Sequence, residues 1–189
     1  MKLKNLEIEV KFNAEGIDRL QFKDLVKSLK PKDFLYVEST DTYYLKNEDD
    51  FLRYRASAEN SKSKRAELTF KKKHSENNNI IRTEVNLRVD PNTPETVEDF
   101  AEGLGYKKNF VIFKCCDIYY FDDCNLVYYS VKGEDGKYNH FIEIEALEGL
   151  PQTEEEGWGI LRKYEKVLEP LKITYKNRLN KSLFEMYKK

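Results

Sequence analysis

Acidic and basic residues recur two positions apart in several segments of the sequence, and their types are those that bind metal ions and phosphate. Glu7, Glu9 and Lys11 alternate with apolar residues near the N-terminus, and Glu143 and Glu145 do so near the C-terminus. Between these two ends lie further sets with the same spacing, namely Arg53/Arg55, Lys71/Lys73 and Arg82/Glu84. Side chains at i and i+2 of a β-strand point to the same face, so each set is expected to project from one face of a strand.

The sign of the charge is segregated by segment, which favours a site for a polyphosphate and a divalent metal ion. Arg and Lys form charge-assisted hydrogen bonds with phosphate oxygens, and the planar fork of Arg binds them bidentately. A closed barrel would place the acidic pairs from the two sequence extremes side by side, where the carboxylates repel one another unless a cation joins them. Mg²⁺ or Mn²⁺ prefers such oxygen ligands and commonly bridges to phosphate. For any single pair, the solvated outer face of a sheet would show the same alternation.

Period-two alternation of apolar and polar residues runs through most of the chain and predicts a β-rich fold. Strands are predicted at 3–12, 34–46, 51–57, 64–73, 80–89, 108–122, 125–133 and 139–148, and helices at 16–29, 94–104, 153–169 and 178–188. The polar segment 74–79 is predicted to be a hairpin loop. Closing such a sheet removes its exposed edges and assigns one face to a lumen. The predicted fold class is therefore α+β, an eight-stranded antiparallel closed β-barrel with flanking helices, in a single domain spanning 1–189.

The overall charge is close to zero, with 33 Lys and Arg against 34 Asp and Glu. Net charge therefore gives no reason to expect DNA or a membrane as a partner. No apolar run approaches the ~20 residues of a membrane span, and the N-terminal MKLKNLEIEV lacks the apolar region of a signal peptide. The three cysteines, Cys115, Cys116 and Cys124, do not suggest a secreted disulfide framework. A cytoplasmic protein, monomeric or homodimeric, is expected.

An ordered series of motifs connects these segments. The run Glu7-Ile8-Glu9-Val10-Lys11 reads E-x-E-x-K, a pattern that arises easily by chance when it stands alone. Further motifs follow it in order: Asp41–Tyr44 (D-x-Y-Y), Leu52–Arg55 (L-R-x-R), Leu68–Lys71 (L-T-x-K), Arg82–Glu84 (R-x-E), Leu104–Tyr106 (L-G-Y), a strand with Lys114, and Phe141–Glu145 (F-x-E-x-E). In this order and at these strand positions the motifs resemble the CYTH, or triphosphate tunnel metalloenzyme, superfamily over nearly the whole chain.

The resemblance implies an eight-stranded antiparallel tunnel that acts on a triphosphate with Mg²⁺ or Mn²⁺. Substrates across the superfamily are inorganic tripolyphosphate, thiamine triphosphate, nucleotides and RNA 5′ ends, and one branch comprises the class IV adenylyl cyclases. Carried over to the matching positions, the metal ligands would be Glu7, Glu9, Glu143 and Glu145. The residues that bind the triphosphate substrate would be Lys11, Arg53, Arg55, Lys71, Lys73, Arg82 and Lys114, with Glu84 in the same lumen. Glu9, Glu145 and Lys11 are the candidate catalytic residues.

Two positions depart from the superfamily pattern. Where K-x-R is usual, the sequence has Lys114-Cys115-Cys116, so that Cys116 replaces an Arg that binds phosphate. Tyr129 stands where the next strand normally carries an acidic residue before V-x-G. Three functions therefore remain open. The first is metal-dependent triphosphate hydrolysis, the second is a class IV-type adenylyl cyclase that makes cyclic AMP from ATP, and the third is non-catalytic binding of a nucleotide or polyphosphate. The remaining alternative is a stable barrel whose charged residues face solvent and form no functional site.

Overall fold

The computed structural model describes residues 6–47, 50–60, 63–75, 78–90, 92–147, 149–151 and 153–189. The strands are β1 (Leu6–Asn13), β2 (Asp33–Leu45), β3 (Asp50–Glu59), β4 (Ser63–Ser75), β5 (Asn78–Arg88), β6 (Lys107–Tyr120), β7 (Cys124–Lys132), β8 (Tyr138–Ala146) and β9 (Arg178–Leu179). The helices are α1 (Arg19–Ser28), α2 (Pro94–Gly103), α3 (Glu154–Val167) and α4 (Leu183–Tyr187), and two 3₁₀ turns span Glu169–Leu171 and Tyr175–Asn177.

The nine strands form one antiparallel sheet in the order β5-β4-β3-β2-β6-β7-β8-β1-β9, and a further pairing of β5 with β1 closes it. The predicted eight-stranded closed antiparallel barrel is confirmed, with one short strand added. The predicted hairpin loop at 74–79 is narrower than expected because β4 continues to Ser75 and β5 begins at Asn78. Residues 3–5 of the first predicted strand and residues 76–77 of that loop lie outside the described residues.

The apolar faces of the strands point outward, beneath the helices, and the charged faces point into the barrel. Ile8, Val10 and Phe12 of β1 are buried in one cluster with Phe22 of α1 and Leu161 of α3. A second cluster packs α2 against the outer faces of β2, β3 and β4. The helices exclude water from these apolar faces, which provides the main driving force for folding. Because the alternating charges lie on the opposite face, the alternative in which they simply face solvent is wrong.

The C-terminal segment differs from the helix predicted over 178–188. Arg178 and Leu179 form β9, which pairs with Phe12 and Lys11 of β1, and the helix is confined to Leu183–Tyr187. The physical reason lies in the register, since β5 pairs with β1 only as far as Ile8. The edge of β1 beyond Ile8 has unpaired backbone groups, and β9 satisfies them. None of the helices in the described ranges is long and apolar enough to cross a membrane.

Helix α4 closes one end of the barrel with an aromatic contact. Phe184 is buried, and its ring stacks on Phe51 of β3 with centroids 4.4 Å apart and planes 9° apart. Tyr43 of β2 and Phe110 of β6 stack beside them, also at 4.4 Å. Offset stacking of this kind adds to the free energy of burial. This end of the lumen is therefore apolar and sealed by the C-terminal helix.

We expect Phe184→Ala to lower the free energy of unfolding by about 3–5 kcal/mol, because it removes a fully buried ring and leaves a cavity. Urea denaturation followed by circular dichroism measures the loss. Met186→Ala on the same helix is the matched control, since Met186 is 39% exposed and its loss should change stability by only about 0.5 kcal/mol. Equal effects of the two substitutions would contradict the packing described for α4.

Candidate functional site

The barrel encloses a cavity of about 190 Å³. Six acidic and six basic side chains line it, so its formal charge is balanced. The charged residues of the lining are Glu7, Glu9, Lys11, Arg53, Arg55, Glu67, Lys71, Arg82, Glu84, Lys114, Glu143 and Glu145, and the others include Cys116, Ile118, Val127, Ser182 and Phe184. Strand alternation accounts for this arrangement, because every second residue of a barrel strand points inward.

Two buried lysines are held by pairs of carboxylates. Lys71 Nζ lies 2.6 Å from Glu7 Oε2 and also contacts Glu84. Burial alone would lower the pKa of Lys71, but the charges of Glu7 and Glu84 outweigh it and raise the pKa above its ordinary value. Lys71 therefore carries a positive charge inside the barrel at neutral pH.

Lys11 of β1 is held in the same manner. Its Nζ lies 2.8 Å from Glu143 Oε1 and 3.6 Å from Glu9 Oε1. Burial opposes the charge of Lys11, and the two carboxylates more than compensate and raise its pKa. These contacts are possible because Lys11 faces Glu143 directly in the register of β1 and β8.

Arg53 and Arg82 each have a buried Nε donor without a partner among the residues that the structure describes. Arg53 is 8% exposed and Arg82 is 5% exposed. Arg53 Nη2 donates to Thr69 Oγ1 at 3.0 Å, but the Nε groups of both arginines have no hydrogen-bond partner among the residues that the structure describes. A buried donor without an acceptor carries a desolvation cost, and an anion bound in the cavity would relieve that cost.

The guanidinium of Arg55 is paired with Asp41, a buried residue that was not among the site residues predicted from the sequence. Arg55 Nε and Nη2 donate to the two carboxylate oxygens of Asp41 at 2.8 and 2.6 Å. Asp41 is fully buried, and although burial favours its protonated form, the guanidinium of Arg55 lowers its pKa well below the ordinary value. The sequence signals Asp41 only through the D-x-Y-Y motif, since its partner lies across the β2–β3 register. Two of the donors of Arg55 are thus engaged within the protein.

Asp41→Asn is expected to lower the free energy of unfolding at neutral pH by about 3–5 kcal/mol, because it leaves the charge of Arg55 buried without its partner. The folded-state pKa of Asp41 lies below its unfolded value of about 3.9. The contribution of the pair is therefore present above pH ~4 and is lost as the pH falls through the folded-state pKa.

Urea titrations of the wild type and the Asp41→Asn variant should show a stability difference that is constant near pH 7 and shrinks only below pH ~4. Asp24→Asn is the control, since Asp24 is exposed on α1 and its loss should change stability by only about 0.5 kcal/mol. A difference that is small at pH 7, or one that grows on acidification, would contradict the ion pair.

The acidic side of the lumen brings two carboxylates face to face. Glu9 of β1 lies directly opposite Glu145 of β8, a placement that is unfavourable for like charges. Burial, together with the charge of Glu9, raises the pKa of Glu145 to about 7. Asn125 Nδ2 donates to Glu145 Oε2 at 3.3 Å. Asn125 was not among the residues predicted from the sequence, because only the β7–β8 register reveals the contact.

This pair of carboxylates has the donor chemistry that a divalent cation requires. Among the described residues, no group of three or more His, Cys, Asp or Glu side chains is arranged to hold a metal ion. Mg²⁺ is commonly bound through one or two carboxylates, with substrate phosphates and water as its other ligands. Glu9 and Glu145 meet that requirement, and Glu7 lines the same cavity. The residues therefore fit a metal ion that arrives with a phosphate.

Glu143 and Lys114 are linked by Tyr129, one of the two departures from the superfamily pattern. The Tyr129 hydroxyl donates to Glu143 Oε1 at 3.0 Å, and Lys114 Nζ lies 4.2 Å from the centre of the Tyr129 ring. Burial, and then the charge of Glu143, raises the pKa of Tyr129, so the phenol stays neutral. Tyr129 thus donates a hydrogen bond to Glu143, whereas a carboxylate at this position would repel Glu143.

The structure places nearly all of the residues singled out in the sequence around this one cavity. Those that line it are Glu7, Glu9, Lys11, Arg53, Arg55, Lys71, Arg82, Glu84, Lys114, Cys116, Glu143 and Glu145. Tyr129 is fully buried against the lining. The backbone of Lys73 lies in β4 opposite Arg82, and its side chain is outside the described part of the structure.

Several solved structures share this fold. The PH1012 protein of Pyrococcus horikoshii OT3 is 24% identical over 96% of this chain and 99% of its own, with a TM-score of 0.78. A candidate adenylate cyclase of Vibrio parahaemolyticus is 15% identical over 97% of this chain and 98% of its own, with a TM-score of 0.68. A chain of the Schizosaccharomyces pombe Mediator head module is 14% identical over 87% of this chain and 95% of its own, with a TM-score of 0.61.

These similarities establish the fold alone, because an architecture shared at low identity can serve unrelated functions. No protein of curated function matches the sequence. The family profile of the CYTH domain, in contrast, matches residues 5–181, which include every strand of the closed barrel from β1 to β8. The chain therefore belongs to the CYTH domain family, the family of the triphosphate tunnels.

Proposed function

We propose that the protein binds a triphosphate inside the barrel and hydrolyses one of its phosphoanhydride bonds with the help of Mg²⁺ or Mn²⁺. CYTH family members act on triphosphates as cyclases or triphosphatases, and the family generally depends on divalent metal ions. The observation that carries the proposal is the pair of buried Nε donors of Arg53 and Arg82, which have no partner among the described residues and lie in a cavity lined by further cations. Phosphoryl oxygens are the acceptors that such donors suit.

The charge balance of the cavity supports a metal-bound form of the substrate. In formal charge the six basic side chains are offset by six acidic ones, although burial raises the pKa of Glu7 and of Glu145. The cavity therefore has only a small excess of positive charge to receive a free triphosphate. Burying uncompensated charge is costly. Glu9 and Glu145 would hold a divalent ion bound to the phosphates, and its charge would lower that cost on both sides. The cavity, at about 190 Å³, is smaller than the ~300–1,000 Å³ of pockets for drug-sized ligands and suits a phosphate chain.

Catalysis in this scheme comes from positioning and electrostatics, as phosphoryl transfer generally requires. Lys11, Lys71 and Lys114 place positive charge beside the phosphoryl oxygens, while Arg53 and Arg82 orient the chain through their Nε donors. When bound, the metal ion supplies Lewis-acid stabilisation of the charge on the phosphates. Glu9 and Glu145 would hold it and are also the candidate acceptors for the proton of the attacking water.

The adenylyl cyclase alternative needs a site for the base of ATP, and the tyrosines that could stack on a base are mostly engaged. Tyr43 stacks on Phe110 at the closed end, and Tyr129 is buried beneath Lys114. Tyr120 is half-buried and is the remaining candidate. The similarity to the candidate cyclase of Vibrio parahaemolyticus keeps this activity as the second proposal, to be separated from hydrolysis by its products.

Incubation of the pure protein with tripolyphosphate, ATP and thiamine triphosphate, each with Mg²⁺ or Mn²⁺, tests the proposal. Release of phosphate supports a hydrolase, and formation of cyclic AMP with pyrophosphate supports a cyclase. Binding without turnover, weakened in Arg53→Ala, supports a non-catalytic receptor. Arg178→Ala is the control, because Arg178 pairs with Glu165 outside the cavity. Failure to bind any of the three triphosphates would refute the proposed function.

A further inference from the structure

Between helices α1 and α2, part of the outer face of the barrel along β2 and β6 is open to solvent. Alternate residues of these strands point away from the lumen. Two cavities of about 360 and 460 Å³ open on this strip, the first beside Phe34 and the second beside Phe113. We call the strip the outer groove, and its floor consists of three consecutive pairs of the β2–β6 register, Tyr36/Asp117, Glu38/Cys115 and Thr40/Phe113.

Helix α1 forms a basic bank along one side of the outer groove. Arg19, Lys23 and Lys27 recur every four residues and therefore share one flank of the helix, and the single acidic residue of α1 lies outside that row. The guanidinium of Arg19 lies 5.4 Å from the centre of the Tyr36 ring, and its Nη2 donates to Asp117 Oδ1 at 2.6 Å. These contacts turn the basic flank toward the floor. Within the described ranges, Lys23 and Lys27 form no ion pair.

Helix α2 forms an acidic bank along the other side. It carries four acidic residues and no basic one. Glu95, Glu98 and Glu102 follow at i, i+3 and i+7 and so share one flank. Glu98 Oε2 accepts a hydrogen bond from Lys108 Nζ of β6 at 3.1 Å. Burial, and then charges that include those of Glu98 and Glu102, raise the pKa of Tyr44 of β2 to about 12. The acidic flank therefore faces β2 and β6, across the groove from the basic one.

A groove with one basic and one acidic bank is complementary to a second copy of itself. A two-fold axis through the floor exchanges the banks, so that Lys23 and Lys27 of one protomer face Glu95 and Glu102 of its partner, and the same contact forms a second time. A partner of a single sign, such as a nucleic acid or an acidic peptide, would be attracted to one bank and repelled by the other.

We propose that the protein forms a two-fold homodimer through the outer groove, in which α1 of each protomer contacts α2 of its partner. The apolar residues that this contact covers are Leu20 beside the basic bank, which is 64% exposed, and Phe34 and Phe113 on the floor. Apolar residues at the centre and charges at the rim are typical of homodimer interfaces. The outer groove lies outside the barrel, so this inference does not depend on the proposed function.

Sedimentation equilibrium of the full chain at low salt, over a range of protein concentrations, tests the inference. The wild type should be dimeric, with a dissociation constant that rises with salt because exposed charges are screened. The double variant Lys23→Glu/Lys27→Glu should raise the dissociation constant by at least about 100-fold, since it brings two acidic banks together. Glu95→Lys/Glu102→Lys should do the same by bringing two basic banks together.

A mixture of these two double variants gives the sharpest result. Each is repelled by its own kind, but in the mixed pair both contacts again join opposite charges, so a heterodimer of about wild-type affinity should form. The matched control is Arg162→Glu/Lys166→Glu, because these exposed residues have the same spacing on α3, which packs against β1 away from the groove. It should leave the dissociation constant unchanged.

Three results would overturn the inference, provided that circular dichroism shows each variant to be folded. The first is a wild type that stays monomeric at every concentration, which would leave the outer groove to a different protein. The second is a dimer that persists in both charge-reversal variants or is weakened as much by the α3 control. The third is a mixture of the two variants that remains monomeric.

Discussion

Arg82→Gln is expected to weaken triphosphate binding by about tenfold to 100-fold, because it removes a charge-assisted hydrogen bond from a buried site. Turnover should fall further, by about 10²–10³, if the guanidinium stabilises charge in the transition state. Arg82 is 5% exposed and faces Glu7 across the β1–β5 register, and its Nε has no partner among the described residues. Calorimetry with each triphosphate and initial-rate measurements give the two quantities separately.

Two controls separate charge from geometry in this experiment. Arg82→Lys retains the charge but loses the planar fork, so it should recover binding more than turnover. Arg88→Gln removes an arginine from the same strand, but Arg88 is exposed and does not line the cavity, so it should leave both quantities unchanged. If Arg88→Gln impaired the protein as much as Arg82→Gln, a general electrostatic effect would account for the data and the site would be elsewhere.

Glu145→Gln is expected to lower the affinity for Mn²⁺ by at least about tenfold, since changes in the outer shell of a metal site alone cost about 10–100-fold. Glu145 faces Glu9 in the β1–β8 register. The neutral amide of the variant would leave Glu9 as the charged member of this pair. Electron paramagnetic resonance of free Mn²⁺ measures the affinity directly, without reference to activity. Glu154→Gln is the control, because Glu154 is exposed in the first turn of α3.

Glu145→Gln should also remove the pH dependence of the affinity for Mn²⁺. Burial and the charge of Glu9 raise the pKa of Glu145 to about 7 in the metal-free protein. Below that pH a proton occupies the carboxylate, and because a metal ligand must be deprotonated, the affinity of the wild type for Mn²⁺ should increase between pH ~6 and ~8. Glu145→Gln should show a flatter profile. A wild-type affinity independent of pH, or a variant with the same slope, would contradict the role of Glu145.

The raised pKa of Glu145 also determines the direction in which pH changes the stability of the metal-free protein. The unfolded-state pKa of Glu145 is about 4.3, below its folded-state pKa, so the unfolded chain releases this proton first as the pH rises. The stability associated with the protonated carboxyl is therefore complete below pH ~4 and is lost as the pH rises through about 7. Mn²⁺ that binds the ionised pair should consequently raise the melting temperature more at pH ~8 than at pH ~6. Differential scanning calorimetry at the two pH values checks this.

The strands were predictable from the sequence because a β-strand exposes alternate residues to two environments, and long alternating segments are common in this chain. The C-terminal helix was predicted to be too long because its true start depends on a tertiary contact. Arg178 and Leu179 pair with β1 because β5 pairs with β1 only as far as Ile8. Where that pairing ends depends on how the sheet closes, so local sequence patterns do not reveal it. Leu183 and Phe184 are the buried residues of α4, and Phe184 stacks on Phe51 at the end of the barrel.

The residues of the candidate site also fall into two groups, those that the sequence identified and those that only the fold revealed. Glu7, Glu9, Lys11 and the arginines were identified from residue type and spacing, and all of them line the cavity. Asp41 and Asn125 were missed, because each acts on a residue of another strand and neither has a repeating pattern of its own. Lys11 illustrates the difference, since the sequence placed it beside Glu9 on one strand while its shortest contact is to Glu143 on β8.

The amino-acid sequence by itself determined which residues carry charge, which faces of the strands they share and in what order the strands follow, because these depend on local alternation and on side-chain chemistry. The tertiary structure decided which face is enclosed, which charges oppose one another and which donors have no acceptor within the described part of the chain. These follow from strand register and closure, which join residues such as Glu9 and Glu145 that are far apart in the chain. The opposing carboxylates and the placement of the guanidinium groups in the lumen therefore emerged only when the barrel was closed.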